Sequence, residues 1–282
     1  MEKMRKYCCV ISVFCVSLFA FGKKDLSKVD MAYYALIDSA EVCINRSDWT
    51  AAENFTKKAL KLKPEDPNNS MLLCNLATIQ RFEQRYEDAL SNYNKALSIE
   101  PKSTQLLHNR ARLFMEVGMY DEAKADYMQI VSLDKKDVEA LYNHGMICIN
   151  IDSLDVAYKD FQSILKMDPM SKFGKEGMAM WNKMSGKTEE AIALYTELIK
   201  YDTTSVLLSQ RADCYIKIDM YNEASADINE AISLDPEDGF LYLIRGKLNR
   251  LRFNKNDAYR DMQLAIKYGI SAEAAKKAIL EK

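Results

Sequence analysis

The sequence predicts an all-α fold: a solenoid of about seven helix-turn-helix repeats with a C-terminal capping helix. Three observations carry this. An alanine followed seven residues later by a small or aliphatic residue recurs as Ala52/Ala59, Ala89/Ala96, Ala123/Ile130, Ala157/Ile164, Ala191/Leu198, Ala224/Ala231 and Ala258/Ala265. The leading alanines lie 37, 34, 34, 34, 33 and 34 residues apart. A fixed period of this length marks two-helix units that each bury an apolar face against the next, not one globular core with a single pocket. A second series, Ala77, Ala111, Gly145, Ala179, Ala212 and Gly246, runs one helix earlier at the same period. Two helices approach closely only where both carry little side chain, so the two series set where each pair crosses. Lastly, Pro64, Pro101, Pro169 and Pro236 follow second helices. Proline cannot continue a helix and biases the residue before it away from helical geometry.

Taken in order, repeats are expected near residues 33–66, 70–103, 104–137, 138–171, 172–204, 205–238 and 239–270. In the second repeat the helices should span about 70–82 and 87–99, with Tyr86 anchoring the turn between them. Trp49, Tyr120 and Tyr221 take that place elsewhere, and Thr188 takes it in the fifth repeat. Glu100, Asp168 and Asp235 precede three of the prolines, and Thr203 stands where the fifth repeat lacks one. Residues 271–281 read as one more helix after the Tyr268-Gly269 break. Ser271 is a good N-cap, and Ala274 and Ala275 favour helix. Lys276, Lys277, Glu281 and Lys282 would solvate the open end of the stack.

Residues 1–22 stand outside the repeats. Lys3, Arg5 and Lys6 form a basic start, residues 8–21 carry no charge, and Ala20 and Gly22 supply small residues before a cut after Gly22. This is the pattern of a secretory signal peptide. The rival is an uncleaved anchor, but the apolar run is 14 residues, short of the roughly 20 needed to span. Lipid attachment fits poorly, because Cys15 follows Ser12-Val13-Phe14. The protein is therefore expected in the periplasm or outside the cell, with no membrane-spanning segment after cleavage.

Composition agrees. Nine glycines and five prolines in 282 residues leave no flexible linker. Cleavage would remove Glu2, Lys3, Arg5 and Lys6 from totals of 41 acidic and 39 basic residues, leaving 40 and 36. That balance attracts no polyanion, so nucleic acid is not an expected partner. Cys43, Cys74, Cys148 and Cys214 remain on first helices of different repeats, without metal-like spacing. Two disulfides are one reading; buried, reduced, small apolar residues are the other and the preferred one. His108 and His144 are the two histidines. Acidic pairs such as Glu189-Glu190, and Glu122 with Asp126, read as solvated helix faces. No nucleophile elbow, phosphate loop or paired metal motif is present, so no enzyme activity, catalytic residue, metal or small-molecule cofactor is expected.

Leu76-Ala77, Tyr86-Glu87-Asp88-Ala89, Tyr93, Ala96 and Pro101, and again Ala212, Tyr215, Tyr221, Ala224, Ala231 and Pro236, give a chain that resembles the tetratricopeptide repeat proteins. The resemblance covers about 240 residues, with the first, fifth and seventh repeats weaker. It implies a right-handed superhelix whose first helices line a concave groove; with residues 1–22 read as a signal, an exported protein of bacterial type is expected. The sixth position of each repeat, implied to face that groove, reads Asp38, Asn75, Asn109, Asn143, Gly177, Gln210 and Ile244. Helices about 8–10 Å apart and a chain rising about 3.3 Å per residue would match one amide per repeat to every third residue of an extended peptide. An amide can donate to and accept from a peptide backbone whatever its sequence. Equally, asparagine is common at this position in repeats with no ligand, so a binding ladder and a consensus scaffold both stand.

Other positions implied to face the groove include Arg81, His108, Arg112, Tyr142, Met146, Phe173 and Met180. Methionine suits adaptable surfaces, although Met146 and Met180 also fit the packed seam. The family's carboxylate clamp for chaperone tails would centre on Asn109, but Cys74, Thr78, Tyr142 and Met146 stand where cations are required. Arg110, Arg211 and Arg245 precede the small seam residues and are expected to lie along the helix pair. The expected function is a non-enzymatic interaction scaffold in the cell envelope, binding an extended segment of a protein partner. The alternatives are a self-assembling structural component of an envelope complex, and a periplasmic sensor or adaptor subunit. The expected state is a monomer or weak homo-oligomer.

Overall fold

The computed structural model describes residues 27–280. The proposed signal peptide, residues 1–22, lies outside the described residues, as do Glu281 and Lys282. Among the described residues there are fifteen α-helices and no strand. They fall into two compact units divided between Ala140 and Leu141.

The first unit pairs α1 (Lys28–Asn45) with α2 (Trp49–Leu62), α3 (Asn69–Phe82) with α4 (Tyr86–Ile99), and α5 (Thr104–Glu116) with α6 (Tyr120–Leu133). The second pairs α7 (Val138–Asn150) with α8 (Leu154–Met167), α9 (Lys172–Met184) with α10 (Thr188–Tyr201), α11 (Ser205–Lys217) with α12 (Tyr221–Leu234), and α13 (Gly239–Leu251) with α14 (Lys255–Lys267). A last helix, α15 (Ala272–Leu280), follows.

Each second helix buries one stripe. From α4 to α14 the stripe holds the recurring alanine, a large residue four later, and a small or aliphatic residue at seven: Ala89, Tyr93 and Ala96, for example, are each 0% exposed. Positions i, i+4 and i+7 share a helix face, so this spacing alone builds the seam. The large residue is Tyr93, Tyr127, Phe161, Tyr195, Ile228 or Met262, all buried.

The turns are more uniform than the sequence suggests. Ser47, Gln84, Gly118, Asp152, Gly186, Asp219 and Phe253 all have φ between 59° and 79°. In every case the following amide reaches back to the carbonyl five residues earlier, as in Arg85 N to Gln80 O at 2.8 Å and Ser153 N to Cys148 O at 2.7 Å. This closes each first helix with a left-handed residue, yet glycine fills only two of the seven places. The anchors Trp49, Tyr86, Tyr120, Thr188 and Tyr221 are not turn residues: each is the first residue of a second helix. After the second helices, Glu100, Asp168 and Asp235 hold ψ of 77°, 102° and 81°, all outside the helical region that a following proline disfavours.

At the C-terminal end, α15 covers the last pair. Ile279 and Ala275 are 0% exposed and pack with Ala258, Met262 and Leu243. Gly246 makes room: a Cβ there would lie 2.5 Å from Ile279 Cδ1.

Candidate functional site

In the first unit the predicted groove residues are largely engaged with one another. Asn75 is half-buried on α3. Asn109 Nδ2 donates to Cys74 Sγ at 3.2 Å. His108 Nε2 lies 2.8 Å from Asp137 Oδ2, and its ring meets Tyr127 edge-on at 6.0 Å. Arg112 Nε donates to Glu139 Oε1 at 3.0 Å. Arg81, expected on the groove surface, is instead only 9% exposed. It stacks on Phe82 at 5.0 Å and reaches Glu116 at 3.3 Å. Each basic group on this face thus meets an acid of the protein, and nothing remains of a clamp for a carboxylate.

In the second unit the face is more apolar. The Tyr142 ring lies 5.1 Å from Phe173 and 6.2 Å from Phe161. Its hydroxyl donates to Glu176, whose carboxyl burial pushes up, with the tyrosine bond pulling the other way. Met146 and Met180 are half-buried, as is Asn143, which is engaged within the protein. Gln210 Oε1 accepts from Lys183 Nζ at 2.8 Å, and the same lysine pairs with Asp213 at 2.6 Å.

The sixth position does not face the groove throughout. A Cβ on Gly177 would meet Phe161 Cδ1 at 2.2 Å, and Ile244 is 7% exposed within the core of its repeats. The sixth position is thus packed in the fifth and seventh repeats and half-buried at Asn75 and Asn143. What does stand out toward solvent is the second position. Phe173 is 46% exposed, Val206 54% and Phe240 48%, on the successive first helices α9, α11 and α13. Sequence reasoning took Phe173 and missed the other two. The register of the repeats, 33 and 34 residues on, identifies them.

A second set was also missed. Arg110 holds Asp126, Arg211 holds Asp227 and Arg245 holds Asp261, each through two guanidinium nitrogens and always 16 residues apart. His144 and Asp160 repeat the spacing at 2.7 Å. Arg110 and Arg245 also reach back 16 residues to Asn94 and Asn229 on the preceding second helix. Asp126, read as part of a solvated face, is therefore a buried ion-pair partner at 3% exposure. The arginines lie along the helix pairs and bind carboxylates of their own chain.

In the second repeat Leu76 and Asn92 stand in these two places. No ion pair spans the second repeat in that register, and a cleft of about 610 Å³ lies between α2 and α4 over Leu60, Leu73 and Leu76. Cys74, Cys148 and Cys214 are buried and Cys43 half-buried, none in a disulfide. The string Asp160–His144–Cys148 has the order of an activated thiol, but Cys148 is 0% exposed, so no substrate reaches it. No helix of the described residues is long and apolar enough to cross a membrane.

Comparison with known proteins agrees with this architecture. The sequence profile described as tetratricopeptide repeat matches residues 72–103, 104–137 and 207–238. A tetratricopeptide repeat protein from Parabacteroides merdae, solved by crystallography, is 31% identical, with a TM-score of 0.80 over 88% of this chain and 98% of its own. The pilus biogenesis factor PilW superposes at 0.62 and 18% identity, over 73% of this chain and 96% of its own. YrrB superposes at 0.50 and 18% identity, over 66% and 94%. A stretch of 89 residues is 37% identical to serine/threonine-protein phosphatase T of Aspergillus oryzae, covering 30% of this chain and only 19% of the phosphatase. The chain thus spans about a fifth of that enzyme's length. With its repeated helix pairs and its near-full-length match to the Parabacteroides protein, this chain belongs to the tetratricopeptide repeat family.

Proposed function

We propose that the protein is a non-enzymatic interaction scaffold of the cell envelope that binds an extended segment of a protein partner along its first helices. The observation that carries this reading is the row Phe173, Val206 and Phe240, about half exposed on three consecutive first helices. Isolated exposed apolar residues need no explanation, but a register-locked row of them is a binding feature. Neighbouring first helices about 8–10 Å apart would offer one apolar contact for every third residue of an extended chain. Phe173 leans on Tyr142, so the row begins on an aromatic cluster. The fold is that of a scaffold family, and YrrB, described as having an unusual peptide-binding site, shares it. The envelope assignment rests on residues 1–22 and on their pattern alone.

The test is a pull-down from envelope extract with wild-type protein beside a Phe173→Ser, Val206→Ser, Phe240→Ser variant. All three side chains are exposed, so helicity should not change. Loss of a partner in the variant supports the reading. The same partners with both proteins sink it and direct attention to the cleft over Leu76. The second reading, self-assembly, uses the same row: it predicts concentration-dependent sedimentation of the wild type that the variant abolishes, with no other protein captured.

A further inference from the structure

We propose that His144, Cys148 and Asp160 form a buried site for a thiophilic divalent cation of the zinc class, tying α7 to α8 within the fourth repeat. One donor atom from each lies within 4.8 Å of the others. His144 Nε2 is 3.8 Å from Cys148 Sγ, and Nδ1 is 2.7 Å from Asp160 Oδ2. His144 is 7% exposed and Cys148 0%.

The other repeats supply the comparison. Where the third, sixth and seventh repeats place Arg110, Arg211 and Arg245 against an aspartate, the fourth places His144. One helical turn later, where the third and sixth have Phe114 and Tyr215 stacked on their arginines at 5.7 Å, the fourth has Cys148. Both changes fall on the same helix face, and the aspartate is kept. Imidazole, thiolate and carboxylate are the three zinc donors among side chains. Bond lengths of about 2.3 Å to sulfur and about 2.0–2.1 Å to nitrogen and oxygen put tetrahedral donors about 3.4–3.6 Å apart. Sγ now meets Nε2 at 3.8 Å while the carboxylate holds Nδ1; a cation binds through one ring nitrogen, so the imidazole must turn for both to become ligands, within a donor set that already spans no more than 4.8 Å.

Charge points the same way. In the arginine repeats a guanidinium brings one positive charge to a buried carboxylate, and a buried charge requires such a partner. The fourth repeat has no guanidinium in that place. A divalent cation bound to a thiolate carries one net positive charge, so it restores what the arginine supplies. Binding releases the Cys148 thiol proton to solvent; no bond is oxidised or reduced.

The test uses the whole chain, reduced and freed of metal, titrated with cobalt(II). The expected result is a thiolate-to-cobalt charge-transfer band that saturates at one equivalent and is bleached by zinc(II). Zinc should also raise the thermal midpoint. Cys148→Ala should lose the band and Cys74→Ala should keep it. His144→Arg copies the neighbouring repeats, so it should fold and be stable yet show neither the band nor the zinc-dependent midpoint. No band in the native protein overturns the proposal, as does a band that survives in His144→Arg. Binding of copper(I) without any cobalt or zinc response overturns the divalent assignment.

Discussion

Gly177→Ala puts the packing of the second unit to a test of sign. Alanine in place of glycine within a helix ordinarily stabilises by about 1 kcal/mol. Here the added Cβ would lie 2.2 Å from Phe161 Cδ1 and 2.4 Å from Cε1. Separations that short force the ring to move, and Phe161 is 0% exposed. Its other side is closed as well, because a Cβ on Gly145 would lie 2.6 Å from the same ring. Overpacking costs about 1–3 kcal/mol. With no free side, the upper end applies, so the net effect should be destabilisation by about 2 kcal/mol after the propensity gain.

The assay is a double-mutant cycle with Phe161→Leu, followed by urea unfolding and, because repeat arrays need not unfold in two states, by amide exchange in α8 and α9. Phe161→Leu alone should cost stability by leaving a cavity. In that background Gly177→Ala should turn stabilising by about 1 kcal/mol, the ordinary propensity gain. If Gly177→Ala stabilises in both backgrounds, the ring is not the obstacle and the account of this seam is wrong.

Three further outcomes are expected. Arg211→Met leaves Asp227, 5% exposed, without its partner and should cost about 3–5 kcal/mol; adding Asp227→Leu should recover most of it in thermal melts, since the fifth repeat already carries Met178 and Leu194 at these places. Glu176→Gln should stabilise at neutral pH and not in acid, by urea melts: burial raises this carboxyl, so the folded state holds the proton more tightly and stability falls as pH climbs from the ordinary glutamate range through the folded value. Phe253→Gly should raise the thermal midpoint: Phe253 has φ +62° and is 87% exposed, a left-handed conformation that costs an L-residue about 1–2 kcal/mol, and Gly118 and Gly186 already hold it elsewhere.

The helix pairs were legible because their cause is periodic. The stripe Ala89, Tyr93, Ala96 is written into the sequence at i, i+4 and i+7, and burial follows from that spacing. The site was less legible because a groove position says where a Cα sits, not which way its side chain turns. Arg81 and Arg112 lie on the expected helices, but Glu116 and Glu139 are near enough to claim them. The buried aspartates were missed for a related reason: Asp126 beside Glu122 reads as a polar surface until the 16-residue interval to Arg110 is compared across repeats. Seven left-handed turns with only two glycines were illegible in principle, since Ser47 or Gln84 carries no sign of positive φ.

The departures from the repeat pattern gather on one stretch of the second unit, and they share a physical consequence. Gly145 and Gly177 remove the side chains that would hold α7 and α9 away from Phe161. The ring then wedges between the two helices, and Tyr142 on α7 comes within 5.1 Å of Phe173 on α9. Tyr142 gives its hydroxyl to Glu176 there, a carboxyl half-withdrawn from water beside an exposed phenylalanine. Gly145 belongs to the recurring small series, but Gly177 stands where the third and sixth repeats carry Asn109 and Gln210, so its cost in backbone entropy and the desolvation of one carboxyl are departures those repeats manage without. Departures of this kind are expected where a fold gives up stability for a surface it uses. Under the proposed function, a partner's first apolar residue would seat on the Tyr142–Phe173 cluster, and Phe173→Ser alone should then weaken capture more than Val206→Ser or Phe240→Ser.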